Sequence, residues 1–211
     1  MFFYGTYFII YGMRRKSYTR FFVISTLLLG FAVPQTTAAT YRFTEKESEV
    51  AFKLTHLGIT TADGKFERFE GFFDFDTEKH EAKKVRLAIQ SGSVTSENKG
   101  IADLMRSDKF FAADKFPFIT FTSNKVERVS PNLFHIHGDL SIRGRSNPAV
   151  FETELVSKGE EGKRLFFLSH TFISRKDYGI GVKDWRNPFM ILMHEALKIT
   201  LQVEGIPVEK V

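Results

Sequence analysis

The 211-residue chain contains no cysteine, six prolines and one tryptophan. The missing thiols exclude a disulfide framework, a zinc–thiolate cluster and a cysteine nucleophile. No apolar run reaches eighteen residues, the length a spanning helix needs. Acid is absent from residues 1–39, which hold Arg14, Arg15, Lys16 and Arg20. The formal charge of +5 therefore sits mainly at the front, and the remaining 26 basic residues face 25 acids. A nucleic-acid-binding domain would carry a basic stripe on its folded part, and this one is nearly neutral with interspersed signs. Recognisable catalytic spacings are missing too: there is no Gly-x-Ser-x-Gly elbow, no His-Glu-x-x-His, no Walker loop and no dinucleotide fingerprint. The expectation is a binding protein and not an enzyme, with no catalytic or metal-ligating set.

What the chain does have is phenylalanine, 24 in all, within a composition 43% hydrophobic and 26% charged. That balance is globular. The front reads as an export signal: the four basic residues precede the apolar stretch Phe21–Val33, and Thr36, Thr37, Ala38 and Ala39 supply small residues for cleavage. Residues 1–39 are thus expected to be a signal peptide cut near Ala39. Met13 is an alternative start. The product is expected to be periplasmic and not integral to the membrane.

From Thr40 onward the dominant period is two, the signature of strands. Val50, Phe52, Leu54 and His56 share one face. Val85, Leu87 and Ile89 share another, as do Phe134, Ile136, Gly138, Leu140 and Ile142, and Leu197, Ile199, Leu201 and Val203. Further strands are expected over 66–75, 116–126, 149–156 and 165–174. Turns are expected at Ser130-Pro131-Asn132, Ser146-Asn147-Pro148 and 159–162. One helix is expected around residues 97–111, capped by Ser96, and a shorter helical turn near 184–190. The intervening faces carry Lys84, Arg86, Asp139, Arg143, Lys198 and Glu204, too much charge for a lipid-facing belt. The fold class that follows is all-β: a single domain over residues 40–211, an antiparallel barrel of about eight strands with its apolar face inward. Periodicity leaves open whether such a barrel is filled or hollow.

Four stretches, in order, carry a family likeness. They are Phe52-Lys-Leu-Thr-His56-Leu-Gly58 with Gly64–Gly71, Phe110-Phe111-Ala-Ala-Asp-Lys-Phe116-Pro117-Phe-Ile-Thr-Phe121, Gly138–Gly144, and Ile173–Ile180. Together they resemble the YceI-like family of lipocalin-like polyisoprenoid-binding proteins. The resemblance implies an elongated antiparallel barrel, closed at one end, that holds a long isoprenoid, a quinone-like or another amphipathic lipid as its partner. No other cofactor is implied. A homodimer is compatible with the sequence, which leaves the oligomeric state open. Where many members carry Arg-Asp-x-His-Leu before the double Phe, this chain has Ile101-Ala102-Asp103-Leu104-Met105. Headgroup contacts made through that Arg, Asp or His are therefore absent.

The candidate ligand-binding residues are Phe52, Leu54, His56, Phe66, Phe73, Phe121, Ile142, Phe172, Arg175 and Ile199. Each has a plainer alternative. The phenylalanines serve equally as core filler, since a barrel wall needs large rigid apolar groups whether or not it encloses a ligand. His56 can tie two strands together or meet a ligand's polar end. Arg175 can hold a turn with Asp177 or reach a pyrophosphate or carbonyl oxygen. His135 and His137, two apart on one strand, could chelate a metal, but they share the polar face and make only two ligands.

Overall fold

The structure is a computed structural model that describes residues 38–56, 59–159, 163–181 and 196–209; the side chains of residues 55–61 are outside the description. Almost all of the expected signal peptide, both candidate starts, the side chain of His56 and the helical turn near 184–190 thus lie outside the described residues.

Eleven strands follow one another along the described chain: β1 (Ala39–Thr44), β2 (Glu49–His56), β3 (Ile59–Phe66), β4 (Phe69–Asp76), β5 (Glu81–Gln90), β6 (Val94–Thr95), β7 (Phe118–Arg128), β8 (Leu133–Ile142), β9 (Arg145–Lys158), β10 (Leu165–Ser174) and β11 (Ala196–Pro207). Their pairings are antiparallel, in the order β1-β4-β5-β7-β8-β9-β10-β11, and β11 returns to β1 through Tyr41↔Pro207 and Arg42↔Ile206. Eight strands therefore close on themselves. β2, β3 and β6 extend the wall from the other half of β11, where Phe52 lies opposite Ile199 and Leu54 opposite Leu197.

Inside and outside follow the alternation. The residues Phe134, Ile136, Leu140 and Ile142 of β8 are buried, as are Phe69, Phe73 and Phe75 of β4. The period of two places every second side chain on the same side of the wall, so one apolar face fills the barrel and the charged face meets water. Close packing is helped by inward glycines. A Cβ at Gly71 would stand 2.1 Å from Cζ of Phe43, at Gly64 2.8 Å from Phe52, and at Gly205 2.5 Å from Phe73. Each ring lies where a side chain would otherwise project.

Three expected boundaries move. The strand expected over 66–75 is two strands, parted by Glu67-Arg68. The turn expected at Ser146-Asn147-Pro148 is instead strand, with Pro148 opposite Asp139. The chain reverses at Arg143-Gly144, both with positive φ (52° and 70°), between the paired Ile142 and Arg145. Two successive positive φ values make the hairpin turn whose twist suits the flanking strands. Pro148 is tolerated because the β9–β10 ladder ends at Glu152, so no strand on that side requires its missing N–H. The helix is shorter than expected, α1 (Lys99–Arg106), and its cap is Asn98, whose Oδ1 accepts from the amides of Gly100 (2.9 Å) and Ile101 (3.4 Å).

Candidate functional site: the barrel interior

The two ends of the barrel are built differently. At one end the turns after β4, β7 and β9 meet. Arg128 Nη1 donates to the Lys79 carbonyl (3.0 Å), His80 Nδ1 lies 3.3 Å from the Pro131 carbonyl, and Lys158 Nζ lies 2.7 Å from His80 Nε2. Asp76 accepts from the amides of Glu78 and Lys79, and those hydrogen bonds, the Lys79 amide first, hold its carboxyl below the usual range. These bonds lace the turns of this end together.

At the other end Phe52, Phe66 and Phe111 form a triangle of rings with centroids 5.6–5.9 Å apart. Helix α1 contributes the fully buried Met105, and Arg106 Nη1 fastens the helix to the Val94 carbonyl (2.7 Å). The loop after β10 is held by arginines on carbonyls. Arg175 Nη1 donates to Ile180 and Gly181 (3.0 Å each), and Arg143 Nη1 donates to Gly179 (2.7 Å). Arg175 is buried, and these bonds support its turn-holding reading.

Tyr178 sits within this loop, fully enclosed. Burial, and secondarily the negative charge of Asp177, push its phenol up to about 12, against an opposing hydrogen bond from Asn147. An acid whose folded pKa is raised stabilises the fold fully below its unfolded value of about 10 and loses that contribution as pH climbs through the folded value. Urea titrations between pH 9 and 12 should therefore show stability falling more steeply in the native sequence than in Tyr178→Phe. Parallel slopes would remove Tyr178 from the alkaline transition.

Phe52, Leu54, Phe66, Phe73, Phe121 and Ile142 belong to one continuous core, spread along its length. Phe52, Leu54, Phe66 and Ile142 are buried at the α1 end, with Ile199 half-buried against the same core. Phe121 packs edge-on against Phe151 at 4.9 Å. Phe73 belongs to the laced end, stacked on Tyr41 (5.3 Å) and edge-on to Phe167 (5.4 Å). Phe172 is a correction: it is 63% exposed, on the outer wall, with Lys198 Nζ 5.6 Å above its ring. The inward phase of β10 runs through Leu165, Phe167, Ser169, Thr171 and Ile173. Hydropathy alone puts Phe172 inside, and the phase of its strand puts it outside.

His135 and His137 also lie on the outer wall. Glu127 accepts from Lys125 and from His137 Nε2 (3.0 Å), which holds its carboxyl low. His135 faces Glu152 at 3.9 Å. Among the described residues no group of three or more His, Asp and Glu is arranged to hold a metal.

The interior is largely filled. A partly open void of about 60 Å³ remains toward the laced end, its surface almost wholly apolar, lined by Phe43, Phe73, Phe134 and Phe167, by Thr153 and Ser169, and by the half-buried Ala82 and Val85 of β5. Larger depressions lie on the surface; one of them, between β5 and β7, is edged by Lys83, Lys84, Lys125 and Arg128 and reaches Ala82 and the buried Phe134, which also border the void. Thr153 and Ser169 are not among the candidates that the sequence offers. Their signal is present in it all the same, as polar residues at inward positions of alternating strands.

A closed eight-stranded barrel with an aromatic interior and one short helix defines a lipocalin-like β-barrel protein. More narrowly, the chain belongs to the YceI-like domain family, whose sequence profile matches residues 41–205. It is 34% identical over 166 residues to a UPF0312 protein of Azotobacter vinelandii, covering 74% of this chain and 86% of that one. Against the YceI protein of Salmonella arizonae it is 33% identical over 165 residues, covering 75% and 84%. Among solved structures it is similar to the Campylobacter jejuni YceI protein (TM-score 0.64, 28% identity, 75% and 91% covered). A domain of Saccharophagus degradans described as polyisoprenoid binding shares the fold (TM-score 0.58, 16% identity, 81% and 99% covered). No described helix is long and apolar enough to cross a membrane.

Proposed function

We propose that this protein is an exported, non-enzymatic carrier that holds a long-chain isoprenoid or another amphipathic lipid inside its barrel. The observation that carries the reading is the closed barrel with a small, partly open void walled mainly by phenylalanine rings. Membership of the YceI-like family and the likeness to a domain named for polyisoprenoid binding support it. The driving force is apolar: each buried methylene contributes about 0.8 kcal/mol before ordering costs. Pockets that enclose a drug-sized ligand span roughly 300–1,000 Å³. A long chain therefore enters only by swinging rings aside, and the Phe52–Phe66–Phe111 triangle, away from the laced end, is where that entry is assigned. Export fits the layout, because cleavage near Ala39 removes at most the first residue of β1 and leaves Thr40–Thr44 paired with β4.

The small void favours a second reading, a filled barrel that acts by its surface without a lipid. The two separate cleanly. The protein is purified from its own outer cellular fraction, extracted into organic solvent and analysed by mass spectrometry. One apolar molecule per chain is expected. Repeated empty extracts from native material would select the filled barrel, and N-terminal sequencing of the same sample should begin within a residue or two of Thr40.

A further inference from the structure

The void is apolar except at one place. Thr153 on β9 and Ser169 on β10 are directly opposite one another, 5% and 6% exposed, and their hydroxyl oxygens stand 2.7 Å apart. Each hydroxyl brings one proton, and the bond between them uses one of the two. The second proton has no further acceptor among the described residues. Thr171, the next inward residue of β10, shows the ordinary solution: its hydroxyl donates to the Val150 carbonyl (2.7 Å) and so is satisfied by the wall itself. At Thr153 and Ser169 the wall offers no such partner, although valine and alanine would fill the same positions without burying a polar group.

We propose that the Thr153–Ser169 pair is a donor site for an uncharged acceptor oxygen, of the carbonyl or ether type, on the bound lipid. The inference rests on the carrier reading above and specifies its ligand. The void is lined by no Lys, Arg or His among the described residues, so an anionic headgroup there would be buried without a counter-charge. A neutral oxygen needs only the one proton that the pair holds out. At about 60 Å³ the void accepts an end group and not a chain, so the oxygen-bearing end leads into the laced end of the barrel and the rest of the ligand trails toward α1.

The test uses delipidated mature protein and two probes, farnesylacetone and the hydrocarbon in which a methylene replaces its carbonyl oxygen. Titration calorimetry gives the affinity ratio of ketone to hydrocarbon. Infrared spectroscopy of the carbonyl-labelled ketone reports hydrogen bonding directly, as a band moved to lower wavenumber. In the Thr153→Val/Ser169→Ala double variant the ratio should move about tenfold toward the hydrocarbon, and the band should return to its position in an apolar solvent. Thr153→Ser keeps a hydroxyl and should keep both signals, which separates lost donation from altered packing. An unchanged ratio, or a carbonyl band already at its apolar position in the native protein, overturns the donor site and leaves the carrier reading standing. Failure of both probes to bind the native protein overturns the carrier reading and this inference with it.

Discussion

Phe52→Asp is expected to abolish folding, whereas Phe172→Asp should leave the melting temperature within about 1–2 °C of the native value. Phe52 is 3% exposed and is packed between Phe66 and Phe111. Its loss removes a large aromatic contact, about 3–5 kcal/mol for truncation alone. An unpaired carboxylate in the same place costs several kcal/mol more. The sum is comparable to the whole net stability of a domain, about 5–15 kcal/mol. At Phe172 the same change meets water on one side and Lys198 on the other, so the new carboxylate gains a cationic neighbour in exchange for the ring. Circular dichroism melts of both variants decide the matter. If Phe172→Asp proved the damaging one, the inside and outside of β10 would be exchanged.

That contrast also marks what the amino-acid sequence makes legible. The alternation of β8 is unbroken from Phe134 to Ile142, and the strand lies where the period puts it. β10 is harder, because two of its inward positions are Ser169 and Thr171 while outward positions carry Phe166, Leu168 and Phe172. Hydropathy there points one way and phase the other, and closure of the barrel settles it in favour of phase. The hairpin between β8 and β9 is hidden for another reason. Ser-Asn-Pro is a strong local turn signal, but Arg143-Gly144 supplies the two positive φ values that a tight antiparallel reversal needs, and Pro148 survives in β9 only because that stretch lacks a partner on one side. Helix α1 is legible in its apolar spacing and ambiguous at its ends, since Ser96 and Asn98 are both capable caps and only the fold chooses Asn98. Of the candidate site, the aromatic interior is legible and its division into two ends is not. Which rings meet depends on strand order, and the pairing of β11 with both β1 and β2 has no local signature.

The inward glycines give no such signal in the sequence, and they set up the second large effect. In most strands Gly→Ala is neutral or mildly stabilising, because it narrows the unfolded ensemble by about 0.4–1 kcal/mol. Gly71→Ala should do the opposite. Gly71 is directly opposite Phe43, and the new Cβ would stand 2.1–2.7 Å from three atoms of that ring. Phe43 is 3% exposed and is itself held 6.2 Å from the Phe73 ring, which in turn stacks on Tyr41. The ring can give way only toward the small void that it borders beside Phe73, at the cost of its contacts with that ring, so overpacking of about 1–3 kcal/mol is expected. Gly92→Ala is the control, since its nearest atom outside the adjoining residues is the Ala113 Cβ at an ordinary 3.8 Å, and it should be neutral or slightly stabilising. A double variant supplies the decisive measurement. Replacing Phe43 by Leu costs stability in the native background but removes the flat ring that the added Cβ meets, so Gly71→Ala should be markedly less harmful when combined with Phe43→Leu than when made alone. Denaturant titrations of the four proteins give the coupling energy directly. Strict additivity would mean that Gly71 is required by its backbone and not by the ring lying over it, and the packing account of the barrel interior would then fail at its tightest contact.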